Sequence, residues 1–213
     1  MYLSRVQIDT NNRRKIRDLT HLGAYHYWVE QSFPEEVSQG VRTRKLWRKD
    51  QLYGNQYLLL VSEEKPDHEL LERYGVPGSA QSLEYSSFIN QLEVGMCLAF
   101  RITVNPVISK SGAGYERRGR LLPHVTEEHQ RRYLLERAER NGFSLHSDRF
   151  MLVESGRELF KKVGQKDIYL VKATFEGKLQ VTDSELFKKT LTEGIGKKRA
   201  YGFGMMTVIL VGD

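Results

Sequence analysis

Residues 2–9, YLSRVQID, alternate in direction: Tyr2, Ser4, Val6 and Ile8 share one face, and Leu3, Arg5, Gln7 and Asp9 the other. A period of two predicts a half-buried strand. TNNRR breaks the pattern. From about Asp18 to Phe33 the apolar set Leu19, Leu22, Val29 and Phe33 takes helical spacing, with Asp18 or Thr20 as the expected cap and Pro34 as the end. VRTRKLWRKDQLYGNQYLLLVSEE reads as two strands around a YGNQ turn, and DHELLERYG as a short helix stopped by Gly75. Residues 76–85 read as a loop, and YSSFI as a weak fourth strand.

The second half repeats the order more clearly. MCLAFRITVNPVIS places Leu98, Phe100, Ile102 and Val104 on one face of a strand, and the Gly-rich, basic KSGAGYERRGR follows as an exposed loop. TEEHQRRYLLERAERNGF begins at a Thr126 cap, carries Glu127 and Glu128 in its first turn, and ends at Gly142. Two strands flank KKVGQKD. A helix, DSELFKKTLTEG, stops at Gly194. GMMTVILV is apolar on both faces, which predicts a central final strand. Strand, helix, two strands, helix, strand is the ferredoxin-like order. The prediction is an α+β protein of two tandem ferredoxin-like, RRM-like domains, residues 1–94 and 95–213.

Composition narrows the partner. The 213 residues carry 33 Lys+Arg against 27 Asp+Glu, a net +6 and a pI of about 9.3. That balance favours a polyanion, nucleic acid before anionic membrane. The lone Cys97 lies in an apolar run, so a buried structural thiol is expected, with no internal disulfide and a reducing compartment. The N-terminus has no apolar signal core, and no segment approaches the roughly 18 apolar residues of a membrane helix. A cytoplasmic protein is expected.

GIGKKRAYGFGMM, residues 194–206, sets Lys197, Lys198 and Arg199 between pairs of glycines. A Walker loop would need Gly where Leu191 stands and Ser or Thr after the lysine, where Lys198 stands. A dinucleotide fingerprint would need Gly at Arg199 or Thr207. Both fail. Glycines let backbone N–H groups approach an anion and the cations neutralise it, as a nucleic-acid backbone requires. A helix stop, a bend and a bulge would account for the glycines alone, but not for three consecutive cations. Arg117, Arg118 and Arg120 on the GAGYERRGR loop, and Lys161, Lys162 and Lys166 on the second-half hairpin, are further phosphate-binding candidates, with a solvated basic face as the bland alternative.

Five fragments in order resemble the CasE-type CRISPR-associated endoribonucleases of the type I-E system. MYLSRV resembles the family's opening strand, and HYWVEQSFP its first helix. FRITVNPV resembles the strand opening its second domain, and FEGKLQVTD and GIGKKRAYGFGMM its closing strand and glycine-rich loop. The resemblance spans nearly the whole chain. It implies an endoribonuclease without metal or other cofactor. Such an enzyme cuts repeat hairpins in precursor CRISPR RNA with the RNA's own 2′-hydroxyl and leaves a 2′,3′-cyclic phosphate. It then retains the guide inside a surveillance complex with other subunits. It places the catalytic histidine at His26 and a conserved cation at Arg199. The chain departs from the pattern at Gly23, where family members often carry Tyr, and at Lys197, where Pro is usual.

Histidine suits either proton transfer of such a reaction, and Lys, Arg or backbone N–H groups suit the developing charge. His26 falls on the stripe of Leu22 and Val29, so spacing alone favours a histidine packed at a core edge, and the family resemblance reverses that reading. His21 lies about 140° from it around the helix, and His68, His124, His129 and His146 read as surface or cap residues. No histidine forms a zinc pattern with Cys97 or acids, and no carboxylate pair suggests a magnesium site. Tyr25, Tyr27 and Lys198 are candidates for a second catalytic group. A non-catalytic RNA-binding subunit of the same architecture and a structural assembly protein that binds no RNA are the competing readings. The retained His26 opposes the first, and the clustered loop cations oppose the second.

Overall fold

The computed structural model describes residues 1–110, 120–161, 164 and 166–211. The first half runs β1 (Tyr2–Gln7), α1 (Arg13–Ile16), α2 (Leu22–Gln31), α3 (Pro34–Gln39), β2 (Lys45–Leu52), β3 (Asn55–Ser62), α4 (His68–Leu71), β4 (Gln81–Glu84) and α5 (Ser86–Asn90). Its strands form one antiparallel sheet in the order β2-β3-β1-β4. The second half runs β5 (Cys97–Val104), β6 (Val107–Lys110), β7 (Arg120–Pro123), α6 (Glu127–Ala138), β8 (Phe143–Ser144), β9 (Phe150–Phe160), β10 (Ile168–Val181), α7 (Ser184–Glu193) and β11 (Met206–Leu210). The order β11-β5-β10-β8, with β9 also on β10, repeats the first sheet's plan. β6 and β7 pair apart as a small ribbon. Both halves are ferredoxin-like, as expected.

Local chemistry explains most element ends. Tyr53 and Gly54 turn β2 into β3 with φ of 49° and 78°, the positive pair that a two-residue hairpin loop needs. Thr126 and Asp183 cap α6 and α7 with side-chain oxygens that accept from the His129 and Leu186 amides. α2 starts later than expected. Its cap is neither Asp18 nor Thr20 but His21, whose Nδ1 accepts from the Ala24 amide.

Four expectations are corrected. The first half's fourth strand is not YSSFI, which is α5, but QSLE at Gln81–Glu84, in the stretch read as loop. It is short, polar and mostly exposed, because it borders β1 at the sheet edge. Gly75 does not stop α4, which ends at Leu71; Gly75 bridges to Ile8, and a side chain there would collide with Val6. β11 is an edge strand. Met206 and Val208 pack in the second core, Met205 joins a cluster with Leu46, Val61, Tyr85 and Ile89 of the first half, and Ile209 and Leu210 are exposed. Cys97 is exposed, since it opens β5 before the strand enters the core.

The halves share their interior. Phe160 and Phe203 complete the first half's core, beside Trp28, Trp47 and Leu58. Arg48 is fully buried. Its guanidinium pairs with Asp50 at 2.7 Å and donates to the carbonyls of Arg101 (2.7 Å) and Met205 (3.1 Å) and to Thr207 Oγ1 (2.8 Å). β2 is thereby tied to β5 and β11.

Candidate active site

α2 buries Leu22, Tyr25, Trp28 and Val29. His26 lies between that face and solvent, so its side chain is half-buried at the rim of a cleft of about 520 Å³. Gly23, Tyr27 and Glu30 of the same helix, Arg42 before β2, Lys161 after β9 and Tyr201 also line the cleft. The site therefore joins α2 of one half to the long hairpin and glycine loop of the other.

The imidazole has a defined setting. Its ring meets the Tyr201 ring edge-on at 4.9 Å, and Nδ1 lies 3.8 Å from a Glu30 carboxylate oxygen. Behind Glu30, Lys45 is buried against Glu36 at 2.5 Å, and Thr43 donates to the same carboxylate. Although burial penalises its charge, Glu36 is held below the usual carboxylate range by the hydrogen bonds from Lys45 and Thr43. Burial also pushes His26 below the ordinary imidazole value. Glu30 opposes that shift, Arg42 and Lys45 reinforce it, and a hydrogen bond with the Ala200 backbone again opposes it. The balance favours a neutral ring, able to accept a proton.

The glycine loop is a packed structure. A short 3₁₀ turn, Arg199–Tyr201, sits between Lys198 and Gly202, both left-handed. A Cβ on Gly202 would lie 2.6 Å from the Trp47 ring, and one on Gly194 2.9 Å from Leu46; Trp47 Nε1 donates to the Ala200 carbonyl at 2.9 Å. The glycines thus permit docking on β2. Lys197 is exposed, and the Lys198 ammonium lies 4.4 Å over the Phe160 ring. Arg199 uses one nitrogen to bind the carbonyls of Glu193 (2.9 Å) and Gly194 (3.2 Å), at the end of α7. Burial lowers its pKa, and Arg44 adds to that shift. Arg137, Arg140, Lys197 and Arg199 line one groove beside Gly194 and Gly196.

The remaining candidates divide. Lys161 reaches the His26 cleft, where it pairs with Asp167 at 3.1 Å, and Lys166 is exposed on the same hairpin. The Arg120 backbone begins β7, and Arg117, Arg118 and Lys162 lie outside the described residues. Tyr25 is buried against Trp47 with ring centres 5.7 Å apart, and Tyr27 is 56% exposed. Sequence reasoning missed Glu30, Arg42, Lys45 and Tyr201. The basic run VRTRK was a signal for two of them, and the aromatic inside the glycine loop for a third. Among the described residues no cluster of three or more His, Cys, Asp or Glu is placed to hold a metal ion, and no helix is long and apolar enough to cross a membrane.

Two ferredoxin-like halves meeting at a histidine cleft, with a basic glycine loop beside it, define an α+β protein of the tandem ferredoxin-like class. Family membership makes this more specific. The model of the CRISPR associated protein family matches residues 1–209, and the chain belongs to that family. It is 26% identical over 219 residues to the CRISPR-associated endoribonuclease Cse3 of Thermus thermophilus, covering 98% of this chain and 99% of that one. The fold is similar to that of Thermus thermophilus Cse3 bound to an RNA representing a pre-cleavage complex, with a TM-score of 0.79, 23% identity and 98% of each chain covered. It is also similar to a chain of a CRISPR RNA-guided surveillance complex in a pre-nicking state, with a TM-score of 0.71, 19% identity and coverage of 99% and 100%.

Proposed function

We propose that this protein is a metal-independent endoribonuclease that cleaves the repeat hairpins of precursor CRISPR RNA. The RNA's 2′-hydroxyl attacks the neighbouring phosphate, and the products are a 2′,3′-cyclic phosphate and a 5′-hydroxyl. The protein then stays on the mature guide RNA within a surveillance complex. The observation that carries this reading is a neutral-leaning His26 in an open cleft flanked by Arg42 and Lys161, in a chain of this family. The name of the Thermus relative and the RNA and surveillance-complex contexts of similar folds support it.

His26 takes the proton of the 2′-hydroxyl, and Arg42 and Lys161 offset the charge that builds on the phosphorane. Lys197, Lys198 and Arg199 hold phosphates of the hairpin, with Arg117, Arg118, Arg120, Lys161 and Lys162 as the other contacts. Residues 1–94 carry the catalytic histidine and residues 95–213 the basic RNA-binding loops. The cytoplasm is the natural setting for a free thiol at Cys97.

The test is cleavage of a synthetic repeat hairpin with and without EDTA, followed by analysis of the termini. Cleavage should persist in EDTA and leave a cyclic phosphate, and a 2′-deoxy nucleotide at the cut should abolish it. Loss of activity in EDTA that magnesium restores would overturn the mechanism.

A further inference from the structure

This inference rests on the nuclease reading above. Such a cleavage moves two protons: one leaves the attacking 2′-hydroxyl, and one joins the departing 5′-oxygen. In-line attack sets those oxygens on opposite sides of phosphorus, so one imidazole cannot face both. A second group must reach the far side.

The cleft offers few. Gly23 has no side chain, and a Cβ there would lie 2.9 Å from the Lys161 carbonyl oxygen, so backbone forms that wall. Arg42 does not give up its proton. Glu36 is held as an anion by Lys45 and Thr43. The Tyr25 ring is buried against Trp47. Tyr27 is exposed on the outer side of α2, and among the described residues its ring meets no other.

Tyr201 differs from all of these. Its ring is fixed by three neighbours: His26 edge-on at 4.9 Å, Phe160 edge-on at 4.6 Å, and the Lys198 ammonium 5.7 Å from the ring centre. It also lines the cleft. Its hydroxyl makes no hydrogen bond to any described residue and is not sealed in the interior. A fixed aromatic ring with an uncommitted hydroxyl beside the proton acceptor is preorganised for a reacting group that arrives from outside.

We propose that Tyr201 is the general acid of this cleft. As O2′ bonds to phosphorus and His26 takes the 2′ proton, the P–O5′ bond breaks and the Tyr201 hydroxyl gives its proton to O5′. Solvent then takes the proton from His26 and returns one to the tyrosinate, which restores both groups. The Lys198 cation beside the ring favours the negative charge that tyrosine acquires in that step. The catalytic pair is thus split between α2 and the glycine loop.

Tyr201→Phe keeps the ring contacts and removes only the hydroxyl. It is tested by single-turnover cleavage of two synthetic repeat hairpins, one ordinary and one with sulfur in place of O5′ at the cut. A thiolate leaves without a proton. The variant should therefore slow the ordinary substrate by about 10²- to 10⁴-fold and the sulfur substrate by less than about tenfold, whereas His26→Ala should slow both. Wild-type speed on the ordinary substrate, or equal slowing of both, overturns the assignment. A wild-type protein that fails to cleave the ordinary hairpin, or leaves no cyclic phosphate, overturns the nuclease reading and the acid with it.

Discussion

His26 holds a ring whose charged form is disfavoured by burial, with Arg42 and Lys45 acting in the same direction against the pull of Glu30. The neutral, proton-accepting form therefore persists to lower pH than in an ordinary histidine. As a general base it should give a single-turnover rate that rises with pH and levels off, with a midpoint below about 6.5. Glu30→Gln removes the anion that opposes the shift, so the midpoint should move further down; a midpoint that moves up would contradict the electrostatic account. His26→Ala should slow cleavage by about 10²- to 10⁴-fold and leave hairpin affinity nearly unchanged in a binding titration, because the basic loops supply the phosphate contacts. The same lowered pKa bears on stability. The unfolded chain binds this proton more readily than the folded one, so acidification below about 6.5, toward the folded value, costs stability.

The glycine loop shows how one element serves packing and binding together. Gly202 has φ of +82° and no room beside Trp47. Gly202→Ala should lower stability by more than about 1 kcal/mol in urea unfolding and weaken hairpin binding as the loop lifts from β2. Arg199→Ala should weaken binding and reduce the salt slope by about one phosphate contact; an unchanged affinity across a salt series would leave Arg199 only its role at the end of α7. The main strands were legible because alternation survives wherever one face is buried, as in Leu98, Phe100, Ile102 and Val104. β4 was not. An exposed edge strand buries too little to impose a pattern on QSLE. β11 misled in the opposite sense, because Met205 is apolar for the sake of a contact with the other half.

For the molecule as a unit, Arg48 ties the halves through hydrogen bonds to both β5 and the β11 segment. Arg48→Ala would leave Asp50 with Arg101 as its remaining cation and take the donor from the buried carbonyls of Arg101 and Met205, at a cost of about 1–3 kcal/mol in urea unfolding. Both tryptophans, Trp28 and Trp47, lie in the first half, yet Phe160 and Phe203 of the second complete their core. Unfolding followed by tryptophan fluorescence and by far-UV circular dichroism should therefore give coincident transitions in the wild-type protein; separated midpoints would mean that the halves unfold independently. Periodicity, turn chemistry and caps were enough to specify two ferredoxin-like halves, and the spacing of α2 was enough to put His26 at the edge of its buried face. Those are local properties, set by neighbours a few positions away. No local pattern could show that Tyr201 stands against His26 or that Lys161 enters the same cleft. Such contacts join residues far apart in the chain, and only the docking of the glycine loop and the long hairpin onto the first half brings them together.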